Sequence, residues 1–296
     1  MKLGLALPQY GKLAAPGSVA SFASAAESLG FASLWVGDRV LTPNNPSDRY
    51  PGGTPERPYP PEFTTFADPF VTLAAAAGAT ETARLGTSTL IAPVYSPVLL
   101  ARTLTTLDQA SDGRLDAGFG IGWMRDEYAA TGTSWTGRGK QLDELLDVLG
   151  EIWSGAPGGH AGARWRIPES TVDLRPVQRP GPPVLLGGMS ETALRRIGRR
   201  ADGWLPAWQP PQRLDALWDV AVAAAEEAGR DPGALRRVLR LNPSPGTRIA
   251  SVSDATARLA ETRDAGYDEA FVDLHYLAHD VTHALELATE LRDALK

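Results

Sequence analysis

Short apolar runs and longer segments of helical spacing take turns along the whole chain, and few folds accept that pattern. Residues 3–7, 34–36, 85–92, 115–119, 184–186, 203–206, 238–241 and 270–274 are strand candidates, being too short for stable helices and apolar at successive positions. Helix candidates lie between and after them at residues 18–29, 69–80, 98–110, 141–153, 191–200, 214–228, 254–265 and 281–295. The first carries Val19, Phe22, Ala26 and Leu29 on one face, and the fourth carries Leu142, Leu145, Leu146 and Leu149. Pro69 suits a first helical turn. Two Pro- and Gly-rich stretches, residues 42–66 and 155–183, interrupt the alternation. The second has β-like pieces at 164–166 and 171–174 and reads as a hairpin excursion, and residues 248–250 are a candidate continuation of the seventh strand.

Strands that alternate with helices must pair in parallel, because each parallel neighbour needs a crossover of a dozen or more residues. A chain of 296 residues has the length of two ordinary domains or of one α/β barrel. Eight strand–helix units favour the barrel, a single domain over residues 1–296 with insertions near 42–66 and 155–183; a doubly wound open sheet is the alternative. In both architectures the chemistry belongs at the carboxyl ends of the strands.

Composition removes several classes of function. A net charge of -6 argues against a nucleic-acid or anionic-membrane partner, both of which call for basic surface. The one basic cluster, Arg195, Arg196, Arg199 and Arg200, has the spacing of a solvated helix face. Without cysteine there is no disulfide framework, thiolate metal site or thiol nucleophile. The opening apolar run has strand length and no stretch of 18 apolar residues occurs, so the expectation is a soluble, cytoplasmic protein.

The strand ends carry Gln9 and Tyr10, then Asp38 and Arg39, Gly120 to Trp123, Gly187 to Ser190, Trp208, and His275 with Tyr276. Such a rim, rich in glycine and aromatic residues and poor in acid–base pairs, suits a flat, phosphate-bearing ligand better than hydrolysis. At Gly187, Gly188, Met189 and Ser190 an apolar strand enters two glycines and a serine able to cap the next helix. That turn is either an anion site or simply a turn with a cap. The segment from Gly118 to Gly122 fails the dinucleotide fingerprint because Trp123 stands where the next glycine should be, and Ser190 lacks the surroundings of a hydrolase nucleophile. His279 and His283 have the four-residue spacing of a zinc helix, but no third ligand is evident, so a polar face on the last helix is expected and no metal site is assigned.

Nearly the whole chain resembles the luciferase-like monooxygenase superfamily, and within it the branch of oxidoreductases that use the deazaflavin coenzyme F420. The matching stretches are LALPQYG at residues 5–11, AESLGFASLWVGD at 26–38, LGTSTL at 85–90, TLDQASDGRL at 106–115 running into GFGIGW at 118–123, and LGG at 186–188 through ADGW at 201–204. The resemblance implies a (β/α)8 TIM barrel of the bacterial-luciferase type with a cis peptide near Ser88 and Thr89. It implies cofactor contacts at Gln9, Asp38, Ser88, Thr89, Gly120, Gly122, Arg138, Gly187, Gly188, Met189 and Ser190. Catalytic positions fall at Asp38, Arg39, Trp123 and His275.

Much of the branch has histidine where this chain has Arg39, and a relative uses an acid where it has Trp123. An arginine is a poor proton shuttle but can orient an anionic group, which leaves protons to water, Tyr10 or His275. Hydride transfer between F420 and a C=C, C=N or alcohol carbon is the expected activity. An FMN-dependent monooxygenase, a non-catalytic cofactor-binding protein and, more distantly, a zinc hydrolase are the alternatives. The expected partners are a small-molecule substrate and a second copy of the chain in a homodimer.

Overall fold

Lys2–Ala6 (β1), Ser33–Val36 (β2) and Arg84–Thr87 (β3) pair side by side in parallel, and each is separated from the next by enough chain to cross over the outside of the sheet. The crossovers contain Val19–Ser28 (α1) and Pro69–Ala77 (α2), the latter capped by Asp68, whose carboxylate accepts from the amides of Phe70 and Val71. The computed structural model describes residues 1–51, 53–155 and 158–295. Gly52, Ala156 and Pro157, which fall in the two expected excursions, lie outside the described residues.

The remaining elements follow in order. Leu90–Ile91 (β4), Pro97–Ala110 (α3), Leu115–Gly120 (β5), Arg125–Ala130 (α4) and Arg138–Ser154 (α5) lead to a small hairpin of His160–Ala161 (β6) and Arg166–Ile167 (β7). Then come Val184–Gly187 (β8), Glu191–Arg200 (α6), Gly203–Leu205 (β9), Pro211–Glu227 (α7), Arg236–Leu241 (β10), Val252–Asp264 (α8), Glu269–Val272 (β11) and Val281–Asp293 (α9). Strands β8, β9, β10 and β11 continue the parallel ladder back to β1. It closes on the other side where Leu85 of β3 pairs with Leu115 of β5 and Ile91 of β4 pairs with Gly120. The result is a closed (β/α)8 TIM barrel of eight parallel strands with helices outside, rather than the open doubly wound sheet.

Three expectations need correction. The third strand is not continuous over residues 85–92 but breaks into β3 and β4 at a cis peptide between Ser88 and Thr89. At the break Thr87 replaces the regular ladder with its side chain, donating to the Gly118 carbonyl and accepting from the Gly118 amide, both at 2.8 Å. The hairpin pairs residues 160–161 with 166–167 in antiparallel fashion, whereas residues 171–174 and 248–250 are not strands. The β6 partner went unread because a two-residue strand next to glycines carries no periodic signal. The short α4 was also not anticipated.

Two apolar layers hold the barrel. Inside it, Trp35, Leu185, Leu205, Val238 and Phe271 form a plug in which the Trp35 and Phe271 rings stack with centroids 4.9 Å apart. Outside, the opposite faces of the strands meet the inner stripes of the helices in a continuous core. Gly118 is required by this packing, since a Cβ there would overlap the Thr87 carbonyl oxygen and approach Leu205 Cδ1 to 2.7 Å. The basic tract lies on α6 with every guanidinium paired: Arg195 to Glu191, Arg196 to Asp143, Arg199 to Glu227 and Arg200 to Asp147. Among the described residues no helix is long and apolar enough to cross a membrane.

Near the amino-terminal end of the barrel, the fully buried Asp116 accepts two hydrogen bonds from Arg84 and two from Arg236, while Arg236 also pairs with Glu269 at 2.7 Å. Burial opposes ionisation of Asp116, but the two guanidinium groups outweigh it and hold the carboxyl below its ordinary range. Removing the charge leaves both arginines short of a counterion, so Asp116→Asn is expected to lower stability by about 3 kcal/mol. Urea unfolding should show this as a lower midpoint with an unchanged slope.

Candidate active site

At the carboxyl ends of the strands a cavity of about 170 Å³ is lined by Tyr10, Asp38, Arg39, Tyr50, Phe63, Phe66, Ser88, Thr89, Ile91, Trp123 and Arg240, with Gly37 and Gly122 at close backbone approach. Each wall comes from a different segment. The 42–66 excursion folds over the barrel mouth and supplies Tyr50, Phe63 and Phe66. Tyr50 meets Phe63 and Trp123 edge-on at 5.3 and 5.4 Å, and Phe66 stacks on Tyr10 at 5.0 Å. Arg240 also borders a neighbouring cavity of about 200 Å³ formed with Ala207, Trp208, Asn242 and Thr247.

Gln9 is a staple under this site. Its side-chain amide donates to the carbonyls of Gly37 and Ala67 at 3.0 and 2.9 Å and accepts from the Gly37 amide at 2.7 Å, which fixes the β2 exit against the end of the excursion. Beside it is a buried polar network that the sequence reading did not assemble. Asp273 Oδ2 accepts from Tyr10 at 2.8 Å and from Arg240 at 2.6 Å, and Oδ1 accepts from His275 Nδ1 at 2.6 Å. Burial alone would raise the Asp273 carboxyl, but His275, Arg240 and Tyr10 hold it far below the carboxylate range. Arg240 also donates to the carbonyl of Ser88 in the cis peptide at 2.9 Å.

This network decides where His275 and Tyr10 can act. His275 Nε2 lies 3.3 Å from the Gln9 amide and Nδ1 lies 2.6 Å from Asp273 Oδ1, so both ring nitrogens are used inside the protein. The ring lies flat against Tyr10 with centroids 3.8 Å apart, and its side chain is only 2% exposed. Tyr10 itself faces the cavity with its hydroxyl committed to Asp273.

Arg39 is also committed. Glu127 of α4 grips it through a 2.6 Å ion pair and a second bond at 3.1 Å, with side chains 5% and 1% exposed, while the guanidinium lies over the Trp123 ring at 4.5 Å. Glu127 also accepts from the Val40 amide at 2.9 Å. Burial raises the Glu127 carboxyl even against the pull of Arg39. Asp38 has its Oδ2 tied to the Ile91 amide at 2.8 Å and the Tyr95 hydroxyl at 2.9 Å. Its carboxyl is raised to about 6: burial pushes it up, the two hydrogen bonds pull it down, and Glu127 and Asp68 push it up again.

Across the mouth, Thr89 meets the glycines of β5 and β8. A Cβ on Gly120 would fall 2.5 Å from Thr89 Oγ1, and one on Gly187 would fall 3.1 Å from Thr89 Cγ2. Gly188 has φ near 132°, and its Cβ would strike Ala193 at 2.7 Å, so only glycine fits at the entrance to α6. Ser190 caps α6, its hydroxyl accepting from the Ala193 amide at 3.3 Å, and Met189 is half-buried beside it. Arg138 opens α5, whose first turn is tied to α6 through Arg196, which pairs with Asp143 and reaches the Gly139 carbonyl. The Arg138 guanidinium lies 3.7 Å from the Trp135 ring centroid with its Nε buried and unpartnered.

Most of the anticipated residues therefore gather at one mouth, with His275 set behind it. Missed were Tyr50, Phe63, Phe66, Ile91, Tyr95, Glu127, Arg240 and Asp273. The two charged residues near the β10 and β11 exits, Arg240 and Asp273, were the readable signal, since charge next to apolar strands calls for a partner. His279 and His283 stack at the exposed start of α9, with His279 Nδ1 on Asp280, and among the described residues no group of three His, Asp or Glu side chains could hold a metal.

The chain belongs to the luciferase-like monooxygenase family, whose pattern it matches over residues 3–291. An uncharacterised protein of Mycobacterium tuberculosis is 30% identical over 250 residues, covering 82% of this chain and 83% of the relative. The oxygenase component of the flavin-dependent trigonelline monooxygenase of Acinetobacter baylyi is 35% identical over 124 residues, 41% of this chain and 34% of its own length. Among solved structures, monooxygenase RslO1 from Streptomyces bottropensis superposes with a TM-score of 0.80 at 20% identity, covering 100% and 98% of the two chains. An F420-dependent secondary alcohol dehydrogenase in complex with an F420–acetone adduct gives 0.76 at 18%, covering 100% and 99%. The structural likenesses show the shared barrel.

The Arg39–Glu127 pair predicts a measurable coupling. Glu127→Gln should cost about 3 kcal/mol in chemical denaturation by stranding a buried guanidinium. Adding Arg39→Met should recover most of that loss, and a double variant no more stable than Glu127→Gln alone would contradict the assignment.

Proposed function

We propose that this chain is an F420-dependent oxidoreductase that moves a hydride between the deazaflavin and a C=C, C=N or alcohol carbon of a small organic substrate. The observation that carries the reading is the cavity itself: aromatic walls, backbone approach at glycines, the Ser88–Thr89 peptide at its edge and, among the described residues, a single carboxylate, Asp38, on its surface. Such a lining can bind planar ring systems and offers no paired acid and base for hydrolysis. The F420-dependent alcohol dehydrogenase, aligned with this chain end to end, adds support for the deazaflavin.

The residues present suit such a cofactor. The turn from Gly187 to Ser190 and the positive end of the α6 dipole favour an anionic phosphate, and the unpartnered Arg138 Nε at the start of α5 offers a donor on the same rim. The bound deazaflavin would supply the two-electron hydride chemistry. The protein supplies position: Arg240 fixes the Ser88 carbonyl, Gln9 fixes the β2 exit, and the excursion's aromatic residues keep water from the reacting centre. Arg39, neutralised by Glu127 and stacked on Trp123, acts as a rigid wall more than as a free cation, which favours a neutral substrate over the anionic one that an unpaired arginine would select.

The second reading, an FMN-dependent monooxygenase, draws on the similarity to the flavin-dependent trigonelline enzyme. Equilibrium titration with F420 and with FMN, followed by fluorescence, separates the two. F420 is expected to bind at least tenfold tighter than FMN, and Gly188→Ala is expected to weaken that binding at least tenfold by blocking the turn into α6. Tighter FMN binding with oxygen consumption on adding FMNH2 would favour the monooxygenase, and binding of neither would contradict both.

A further inference from the structure

Hydride delivery to one atom of a C=C, C=N or C=O bond drives the π electron pair onto the other atom, which must then take a proton. In the reverse direction an alcohol must lose one. With Tyr50, Phe63 and Phe66 keeping water from the reacting centre, the proton falls to a side chain on the cavity wall, and those named for that task from sequence are otherwise engaged. His275 has both nitrogens bonded inside the protein, and the Tyr10 hydroxyl is given to Asp273. Arg39 is held by Glu127, and Arg240 by Asp273, Asn242 and the Ser88 carbonyl. Tyr50 packs edge-on against Phe63 and Trp123 as part of the aromatic wall.

We propose that Asp38 is the proton donor and acceptor of this site, with Tyr95 as the residue that positions it. The inference rests on the redox reading above. Among the described residues Asp38 is the one carboxylate on the cavity wall, and both of its hydrogen bonds go to Oδ2, so Oδ1 takes part in neither. Tyr95 is half-buried against Phe70, their rings meeting edge-on at 5.6 Å, and it holds the carboxyl at a fixed orientation together with the Ile91 amide. In reduction the protonated Asp38 gives its proton to the atom that receives the π pair, becomes a carboxylate and is reprotonated from water. In oxidation the carboxylate would take the alcohol proton, a bound deazaflavin supplying the hydride acceptor.

The surroundings of Asp38 suit both directions. Its carboxyl is raised to about 6, the range in which a general acid or base works well near neutrality. The facing groups are Ile91 from β4, Tyr95 ahead of α3, Glu127 from α4 and Asp68 at the cap of α2, with Arg39 neutralised by Glu127. Glu127 and Asp68 raise the carboxyl and the Tyr95 hydroxyl lowers it. Loss of the Tyr95 hydrogen bond must therefore move the Asp38 titration to higher pH.

The test compares wild type, Asp38→Asn and Tyr95→Phe at saturating F420, together with a carbon NMR titration of the protein without cofactor. Wild-type kcat for reduction should fall above about pH 6, and kcat for oxidation should fall below it. Asp38→Asn should lose at least about 100-fold in kcat together with that pH limb. Tyr95→Phe should retain the limb and shift it upward, which a merely structural role would not do. The carboxyl resonance that disappears in Asp38→Asn should titrate near pH 6. Retention of the limb in Asp38→Asn, or titration of that carboxyl below pH 5, overturns the proposal while leaving the redox reading intact. Failure of the wild type to bind F420 overturns the redox reading and the proposal with it.

Discussion

Parallel pairing all the way around a closed ladder is the constraint from which the rest follows. Every barrel strand enters at one end and leaves at the other, so each exit loop arrives at the same face, and residues as distant in sequence as Gln9 and His275 meet there. Closure runs through the break between β3 and β4. Leu85 pairs with Leu115 below it and Ile91 with Gly120 above it, and the side chain of Thr87 replaces the ladder bonds between them. The same break places Ser88 and Thr89 at the edge of the cavity, with Arg240 on one carbonyl and the glycines of β5 and β8 against the Thr89 side chain.

The alternation of elements was legible because strands buried on both faces read as continuous apolar runs and the outer helices show their apolar stripes. The order of the eight units and the turn into α6 could be read from residues alone. What could not be read arises where separate segments meet. Nothing near Arg39 announces that Glu127, 88 residues later, will neutralise it, and α4, which carries Glu127, is a single short helix with no apolar periodicity of its own. Tyr50, Phe63 and Phe66 lie in a stretch whose prolines and glycines signal a loop without saying where it folds. The break after Thr87 was invisible to periodicity and was expected only from family likeness.

Electrostatics sort the polar residues of the site into those that hold it and those able to react. Asp273, deep in the protein, is kept ionised by Arg240, His275 and Tyr10, so its charge organises the mouth and does not change there. Arg39 and Glu127 cancel one another beside Trp123. Asp38 differs, because it is buried without a cation of its own and held only by an amide and a phenol. Two carboxylates a few strands apart thus have opposite tendencies set by their neighbours, one locked in charge and one free to change it.

The central claim is that this mouth, and not another surface, takes a flavin-type ring. A crystal structure of the protein with oxidised F420 tests it most directly. The account predicts the ring beside Ser88 and Thr89, with Asp38 and Trp123 within contact distance and the phosphate on the turn from Gly187 to Ser190. Density for the ring in the outer groove between Trp208, Arg248 and Arg258, with the mouth empty, would contradict it.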